Sequence, residues 1–450
     1  MAWKKITNRK EKAVRRELFC HVGHLAEEMN RRLLMEQKLE QEFLFVESIT
    51  ITEIRFASEK RRRRGSMMKW KDKVFSDRAV NSGRQQELDL AKSMPIVCLG
   101  MVHCVIECTP EEQLAEGIPF LFDSVIGGPL GAPLFMFAMG IGMAYTVHNT
   151  FREYIRRGAD IIAAGCLLNI CRFLIPFLIG YGITGDGEKY MEPLLYRFFG
   201  NDILQFAGLA MVLIGLWLRL GMSDAGMFLS CLAMSLLGTY LNGKDFGIPF
   251  YNIFFGHLIG TEDAAGMVVS DFPLMNWLLV PVSGYWFGKR LLHVKNKRLF
   301  YGVFSTICLL MAAVYFFIGI RYRLGMFGEG QNCYYHITTW DCAASLAAAV
   351  ASLGMCYAAA RHIPDRVMER VAGISRNINA VYCIQWVLVA ASINLALYGA
   401  RGTQTLGLFW TMLVGSCISA VSVWAAPYLT AYRKKKKGKR RGKAYGNKKK

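Results

Sequence analysis

From about residue 93 the chain alternates long apolar runs with short polar loops. The runs approach the twenty residues that an α-helix needs to cross the hydrocarbon layer of a bilayer. We therefore predict an all-α, polytopic integral membrane protein with about ten transmembrane helices and both termini in the cytoplasm. The predicted spans are 94–108, 129–149, 159–182, 202–220, 223–241, 272–292, 299–319, 341–360, 375–398 and 405–431.

Two parts of this pattern are less regular. Pro95 is suited to the first turn of a helix, where its missing N–H is not needed, so the first span is expected to begin there. The loop 242–271 contains an apolar stretch, 248–260, that is short and broken by glycine. We interpret this stretch as an interfacial or re-entrant piece and not as an eleventh span.

Positive charge sets the predicted orientation. Ten spans place the basic loops 151–160, 288–298 and 360–376 on the side of both termini, and Lys and Arg are typical of cytoplasmic loops. The formal net charge is +20, and the last eighteen residues contain twelve Lys or Arg and no acid. A basic segment directly after a membrane span indicates contact with anionic lipid at the cytoplasmic face in preference to nucleic acid.

Composition divides the chain into three parts. Residues 1–83 are a charged cytoplasmic extension that we expect to be partly disordered, 84–432 form the transmembrane domain, and 433–450 are a basic cytoplasmic tail. No apolar run follows the first positive charges, so no secretory signal is visible. Met67 and Met68 follow four arginines, which raises the hypothesis that translation starts there; N-terminal sequencing of the native protein tests it.

Cysteine usage points away from disulfides and metals. Most of the thirteen cysteines lie inside apolar runs, where cysteine behaves as a small buried residue. Cys333 and Cys342 flank one loop and are the pair that could be bridged. No metal-ligand spacing, phosphate-binding glycine loop or nucleophile elbow is present, so we predict no metal and disfavour soluble nucleotide enzymes and metalloproteases.

The stretch 87–107 carries the strongest candidate chemistry. Lys92 and His103 are eleven residues apart, so on a helix they share one face and lie roughly 16 Å apart, and Glu107 is one turn further on. Ionisable groups at membrane depth are costly and are functional candidates by default. The alternatives are a structural His103 bonded to a neighbouring helix, a solvated Glu107 and a Lys92 that extends to the interface.

A second group of candidates lies further along the chain. Arg172 falls in the middle of an apolar run with Asn169 one turn before it, and it could bind a substrate carboxylate or pair with Asp123 or Asp202. Gln205 and His336 lie near the predicted outer ends of spans or in outer loops, as do Asp271 and His257. We predict that Arg172, Asn169, Asp123, Gln205 and His336 bind substrate.

Three segments carry a family resemblance: ELDLAKSMPIVCLGMVH at 87–103, GGPLGAPLFMFAMGIGMAYT at 127–146 and SRNINAVYCIQW at 375–386. With the ten-helix layout they resemble the membrane-bound acyltransferases, a superfamily that includes the bacterial acyltransferase-3 proteins and the heparan-α-glucosaminide N-acetyltransferase-like proteins. Its first signature is Asp, Arg three residues later, and His after ten more residues. Asp89, Lys92 and His103 keep this spacing, with Lys in place of Arg.

The second signature of the family is a Gly/Pro-rich segment that leads into F-x-F-x-x-x-G. Pro133, Phe135 and Phe137 match it, and Gly140 comes one position early. An alternative role for this segment is close helix packing through small residues. The segments 202–216 and 270–289 look more like the heparan-type branch, and the resemblance extends over 84–432.

The resemblance implies transfer of an acyl group, usually acetyl, from a cytoplasmic acyl-coenzyme A. The acceptor would be a hydroxyl or amine of a glycan or other cell-envelope molecule across a plasma membrane. His103 would act as acid or base, or as nucleophile, and Glu107 would orient it. Lys92, Arg152, Arg156 and Arg157 would hold the coenzyme A phosphates, although Lys lacks the planar fork of Arg.

Two other functions fit the same residues. A transporter or flippase would use the buried His, Arg and acids as a substrate or proton path. The halves of the chain show no self-similarity of the kind that transporter repeats produce, which favours the enzyme. A scaffold or sensor that works through its tails is disfavoured because the polar candidates are concentrated in the membrane part.

Overall fold

The computed structural model describes residues 70–446, apart from 115, 148 and 329–331. The predictions for residues 1–69 and for the end of the basic tail therefore lie outside the described residues. Within them the all-α prediction is confirmed, since three isolated β-bridges are the only strand-like pairings. The helices are α1 (Gln86–Cys108), α2 (Gly117–Ala144), α3 (Phe151–Thr184), α4 (Gly187–Arg219), α5 (Asp224–Leu241), α6 (Leu274–Trp277 and Leu279–Leu291), α7 (Lys297–Phe327), α8 (Thr339–Ala360), α9 (Ile378–Arg401) and α10 (Leu408–Gly446).

Nine of these helices are long and apolar enough to cross a membrane, counted over the described residues. The exception is α6, which is interrupted at Leu278. The helix is interrupted there because Pro281 has no N–H to donate to the carbonyl of Trp277, four residues earlier. Trp277, Leu278 and Val280 are fully buried, so α6 lies in the interior of the bundle against α2, α5 and α8.

The first helix begins earlier than its apolar pattern predicts. It starts at Gln86, so Pro95 lies inside it, and the expectation that the helix begins at Pro95 is wrong. The polar first turns are buried because each acid has a partner. Glu87 accepts from Lys297 Nζ at 2.6 Å, and Asp89 accepts from Ser375 Oγ at 2.7 Å.

The helices alternate in direction, so the two ends of the bundle can be named. At the end where α1 starts, Lys297 at the beginning of α7 pairs with Glu87. At the end where α1 finishes, the N–H of Leu406, just before α10, bonds the carbonyl of Cys108. We call the first the proximal end, defined by residues 82–92, and the second the distal end, defined by residues 104–108.

Three helices widen into π-helical segments inside their spans. These segments are Leu121–Gly127 in α2, Ile170–Leu174 in α3 and Ala390–Leu397 in α9. Such a segment inserts an extra residue into a turn, rotates the side chains that follow and is common at functional sites. Arg172 lies within the segment of α3 and is buried, so its guanidinium is directed into the bundle.

The remaining elements lie outside the ten helices. The loop between α5 and α6 contains a helix of eight residues, Pro249–Gly256, which is too short to cross a membrane, so no eleventh span forms there. The helix Asp365–Arg376 is amphipathic and packs against α1 at the proximal end. No disulfide joins Cys333 to Cys342.

Close helix crossings depend on glycine. A Cβ on Gly415 of α10 would lie 2.6 Å from the Cα of Met101 in α1, and Gly100 faces the same crossing. In the Gly/Pro-rich segment, a Cβ on Gly127 would lie 2.9 Å from Val102 of α1. The small-residue interpretation of this segment is confirmed at Gly127, and both crossings hold α1 at the level of His103.

We expect Gly415→Leu to destabilise the protein by about 1–3 kcal/mol, because the new side chain would force α10 away from α1. Gly302→Leu is the matched control, since no atom lies within 4 Å of a Cβ at that position. Thermal unfolding in detergent measures both. Equal melting temperatures for the two variants would contradict this packing.

Candidate functional site

His103 lies in the interior of the bundle and is held by aromatic rings. Its side chain is 5% exposed. The imidazole stacks on Trp386 of α9 with 3.6 Å between ring centroids and 24° between planes, and it meets Tyr382 edge-on at 6.2 Å. Its Nδ1 is buried and has no hydrogen-bond partner among the described residues.

Arg172 of α3 contacts the same indole. Its guanidinium carbon lies 3.1 Å from the Trp386 ring centroid. Because the His103 ring is centred 3.6 Å from that centroid, the two groups must occupy opposite faces of the indole. The result is a three-layer stack of imidazole, indole and guanidinium.

Asp202 fixes the outer layer of this stack. Its Oδ2 lies 3.3 Å from Arg172 Nη1, and both of its carboxylate oxygens accept from the hydroxyl of Tyr382 at 3.0 Å. Asp202 also caps the segment Ile203–Arg219 of α4 by accepting from the backbone of Ile203 at 2.6 Å. Of the two acids predicted as partners of Arg172, Asp202 is the one that pairs with it. Asp123 instead accepts from Ser124 at 3.1 Å.

The structure does not bring Glu107 to His103. Glu107 is half-buried at the distal end, and no hydrogen bond or ion pair joins it to the imidazole in the described part of the chain. Asn169 donates to the carbonyl of Phe198 at 2.9 Å. Gln205 is buried directly against Gly165, where a Cβ would lie 2.6 Å from its side chain.

A cavity of about 360 Å³ opens at the proximal end. Lys92 lines it, as do Arg84 from the segment before α1 and Arg376 at the end of the helix Asp365–Arg376. Arg84 Nη2 donates to Asp89 Oδ1 at 3.0 Å and to the carbonyl of Ala372 at 3.0 Å, with a second contact from its Nε to Asp89. The hydrogen bond from Arg84 to Asp89 raises the pKa of the guanidinium.

The other predicted phosphate ligands lie at the proximal end but do not line this cavity. Arg152 is exposed. Arg156 lies 3.9 Å from Glu153, and Arg157 donates to Thr146 Oγ1 at 3.1 Å. The cations that line the cavity together with Lys92 are Arg84 and Arg376. Neither of these two arginines was predicted. Their only sequence signal is a basic residue in the polar segments that precede α1 and α9.

His336 belongs to a separate cluster at the distal end. Its Nδ1 lies 3.1 Å from Glu262 Oε1, and its Nε2 is buried without a partner among the described residues. Nearby, Asp271 lies 3.7 Å from Arg197, beside a cavity of about 10 Å³ that also borders Asp202. This volume holds at most about one water molecule.

We expect Asp271 to make stability depend on pH. Burial raises the pKa of its carboxyl, against the opposing effect of Arg197, and the residue lies in a loop outside the spans. The unfolded chain then loses this proton at lower pH than the folded protein, so stability falls as pH rises through the raised pKa. As pH rises through the raised pKa, the melting temperature of Asp271→Asn should increase relative to that of the wild-type protein. The exposed Glu188→Gln is the control, and an Asp271→Asn curve parallel to wild type would contradict the assignment.

The fold and the site together define a class of protein: a multi-pass membrane protein with a histidine buried in the bundle and a basic cavity on the same helix. The sequence model of the family described as heparan-alpha-glucosaminide N-acetyltransferase, catalytic, matches residues 84–327, more than half of the chain. The chain belongs to this family and is a membrane transferase of the acetyltransferase class. No curated protein and no solved structure matches it.

Proposed function

We propose that the protein transfers an acetyl group from cytoplasmic acetyl-coenzyme A to a hydroxyl or amine of a glycan or related cell-envelope molecule on the other side of a plasma membrane. One observation carries the proposal: a basic cavity lies on the same helix as a buried histidine whose Nδ1 has no hydrogen-bond partner among the described residues. Lys92 and His103 are separated by about three turns along α1, roughly 16 Å. The extended pantetheine arm is the part of coenzyme A that would cover this distance.

The proximal cavity supports binding of the donor's phosphates. Arg84, Lys92 and Arg376 bring three cations to one cavity, with Asp89 as the nearest counter-charge. A guanidinium can bind phosphate through two parallel hydrogen bonds, whereas an ammonium acts as a point charge. Nε and Nη2 of Arg84 already donate to Asp89 and to the carbonyl of Ala372, so its Nη1 would be the nitrogen that donates to a phosphate beside Lys92. The further cations Arg152, Arg156 and Arg157 at the same end would add long-range attraction for the anionic donor.

His103 supports the chemical step. In the transfer, the acyl–sulfur bond breaks, an acyl–oxygen or acyl–nitrogen bond forms, and the acceptor's proton ends on the coenzyme A sulfur. An imidazole can take that proton from the acceptor and deliver it to the leaving thiolate. We assign this role to His103. Glu107, one turn further toward the distal end, is placed where an acceptor would arrive.

The acceptor is proposed to approach from the distal end. Asn169, Asp123, Gln205 and His336 lie toward that end, and the half-buried Glu107 accompanies them. The basic loops and the basic continuation of α10 lie at the proximal end, which supports a cytoplasmic location for that end. The anionic lipid of the same face would contact the tail.

We expect His103→Ala to lower turnover of acetyl-coenzyme A by purified protein by about 10²–10⁴-fold, since general acid–base catalysis contributes a factor of that size. Radiolabelled acetyl-coenzyme A with a panel of amino sugars and polysaccharides provides the assay. His362→Ala, in an exposed loop at the proximal end, is the control and should keep wild-type activity. A wild-type protein that moves a solute but neither binds nor consumes the thioester would refute the enzyme and favour the transporter.

We expect Arg84→Gln, Lys92→Gln and Arg376→Gln each to weaken coenzyme A binding by about tenfold or more, because each removes a charged hydrogen-bond donor worth about 1.5–3 kcal/mol. Isothermal titration with coenzyme A measures the dissociation constants. Arg366→Gln is the control, since Arg366 is exposed on the same helix as Arg376 but does not line the cavity. If Arg366→Gln weakened coenzyme A binding as much as the three cavity variants did, the effect would be one of overall charge, and the cavity would not be the phosphate site.

A further inference from the structure

The way in which His103 is held differs from the usual arrangement of a catalytic histidine. A base of this kind is normally oriented by a carboxylate or carbonyl that accepts from one of its ring nitrogens. Nδ1 of His103 has no such partner among the described residues, so Glu107 does not accept from it. The ring is therefore held by something other than a hydrogen bond from Nδ1.

The available contact is with the face of the ring. The imidazole lies almost parallel to the indole of Trp386 at 3.6 Å, and the edge of Tyr382 closes one side. Stacking of this kind fixes the plane of a ring and leaves the nitrogens at its edge free. Trp386 is itself 8% exposed, so its neighbours enclose the indole almost completely.

The indole is fixed from behind by a cation. Arg172 lies on the opposite face at 3.1 Å, and Phe173 lies 4.5 Å from the same guanidinium. The ion pair to Asp202 prevents Arg172 from withdrawing, and Asp202 is in turn held by Tyr382 and by the start of a helix. Trp386 cannot tilt away from His103 unless Arg172 moves as well.

We propose that Trp386 is the positioning residue of His103, and that Arg172 acts as the clamp of Trp386 instead of as a ligand of the substrate. This inference rests on the proposed role of His103. It accounts for three observations together: an Nδ1 without a hydrogen-bond partner among the described residues, a guanidinium with an aromatic ring on each side, and the absence in the same part of the chain of a hydrogen bond from the imidazole to Glu107. A ring held by its face leaves Nδ1 available to take the proton of the acceptor.

The test compares kcat and KM for acetyl-coenzyme A. Trp386→Leu should lower kcat by about 100-fold, the effect of a small misplacement of a catalytic group, and should change KM by less than about twofold because the donor's phosphates bind three turns away. Trp386→Phe keeps an aromatic face and should recover most of kcat. Trp424→Leu, at a tryptophan of α10 that is 68% exposed, is the control. Wild-type kcat in Trp386→Leu, or no recovery in Trp386→Phe, would overturn the proposal.

A second readout does not depend on activity. The indole ring current should shift the ring protons of His103 upfield in NMR spectra of protein labelled at histidine, with His103→Ala providing the assignment. The shift should be lost in Trp386→Leu and largely kept in Trp386→Phe. If wild type does not consume acetyl-coenzyme A, the proposed function fails, and this shift still reports whether the indole holds the ring. A ring-proton shift that is unchanged in Trp386→Leu would overturn the positioning role.

The clamp is tested separately in case Trp386→Leu does not fold. Arg172→Met combined with Asp202→Asn removes both charges at once, which avoids leaving one of them buried without a partner. This double variant should reduce kcat and the ring-proton shift together while leaving KM near the wild-type value. A raised KM for the acceptor with unchanged kcat would instead make Arg172 a substrate ligand and contradict the clamp.

Discussion

A guanidinium among apolar helices must have a counter-charge, because the desolvation of an unpaired ion costs several kcal/mol. Arg172 meets this requirement with Asp202, and the consequence extends across the bundle. Asp202 caps the segment Ile203–Arg219 of α4, Tyr382 of α9 donates to the same carboxylate, and the indole of Trp386 lies against the cation. The Arg172–Asp202 ion pair thus links α3, α4 and α9 and fixes their positions around the imidazole of α1.

The first helix connects two different environments. Its proximal turns carry acids that are buried only because they have partners: Ser375 and Lys297 reach them from distant parts of the chain, and Arg84 lies directly before the helix. One turn before His103, Gly100 lets α10 approach closely, and beyond His103 the helix ends among cysteines and apolar residues at the distal end. A rigid helix of this kind keeps the distance between a bound donor and the reacting group constant.

The sequence predicted those features that depend on local pattern. Apolar length placed the spans, and the spacing of Asp89, Lys92 and His103 selected the helix that carries the site. Asp202 was one of two partners predicted for Arg172. The predicted start of α1 was wrong because apolar length alone cannot show that polar turns will be buried. Their partners Lys297 and Ser375 lie about 200 or more residues away in the chain. The break in α6 follows from Pro281, a local signal that the long apolar run concealed.

The arrangement around His103 could not be predicted, because it depends on which helices meet. Trp386 was visible as a polar–aromatic position near the start of a span, but its stacking requires α3 and α9 to approach α1 from two sides. The same holds for Arg84, which precedes the first helix and gains its place in the cavity only through Asp89 and the carbonyl of Ala372. A π-helical segment gives no sequence signal, yet Arg172 lies within one.

The central claim is that donor and imidazole lie on one line along α1. A structure of the protein with a non-hydrolysable acetyl-coenzyme A analogue tests it most directly. We expect the diphosphate to bind between Arg84, Lys92 and Arg376, with the acetyl end directed along α1 toward His103. A diphosphate bound at another surface, or an acetyl end directed away from His103, would contradict it.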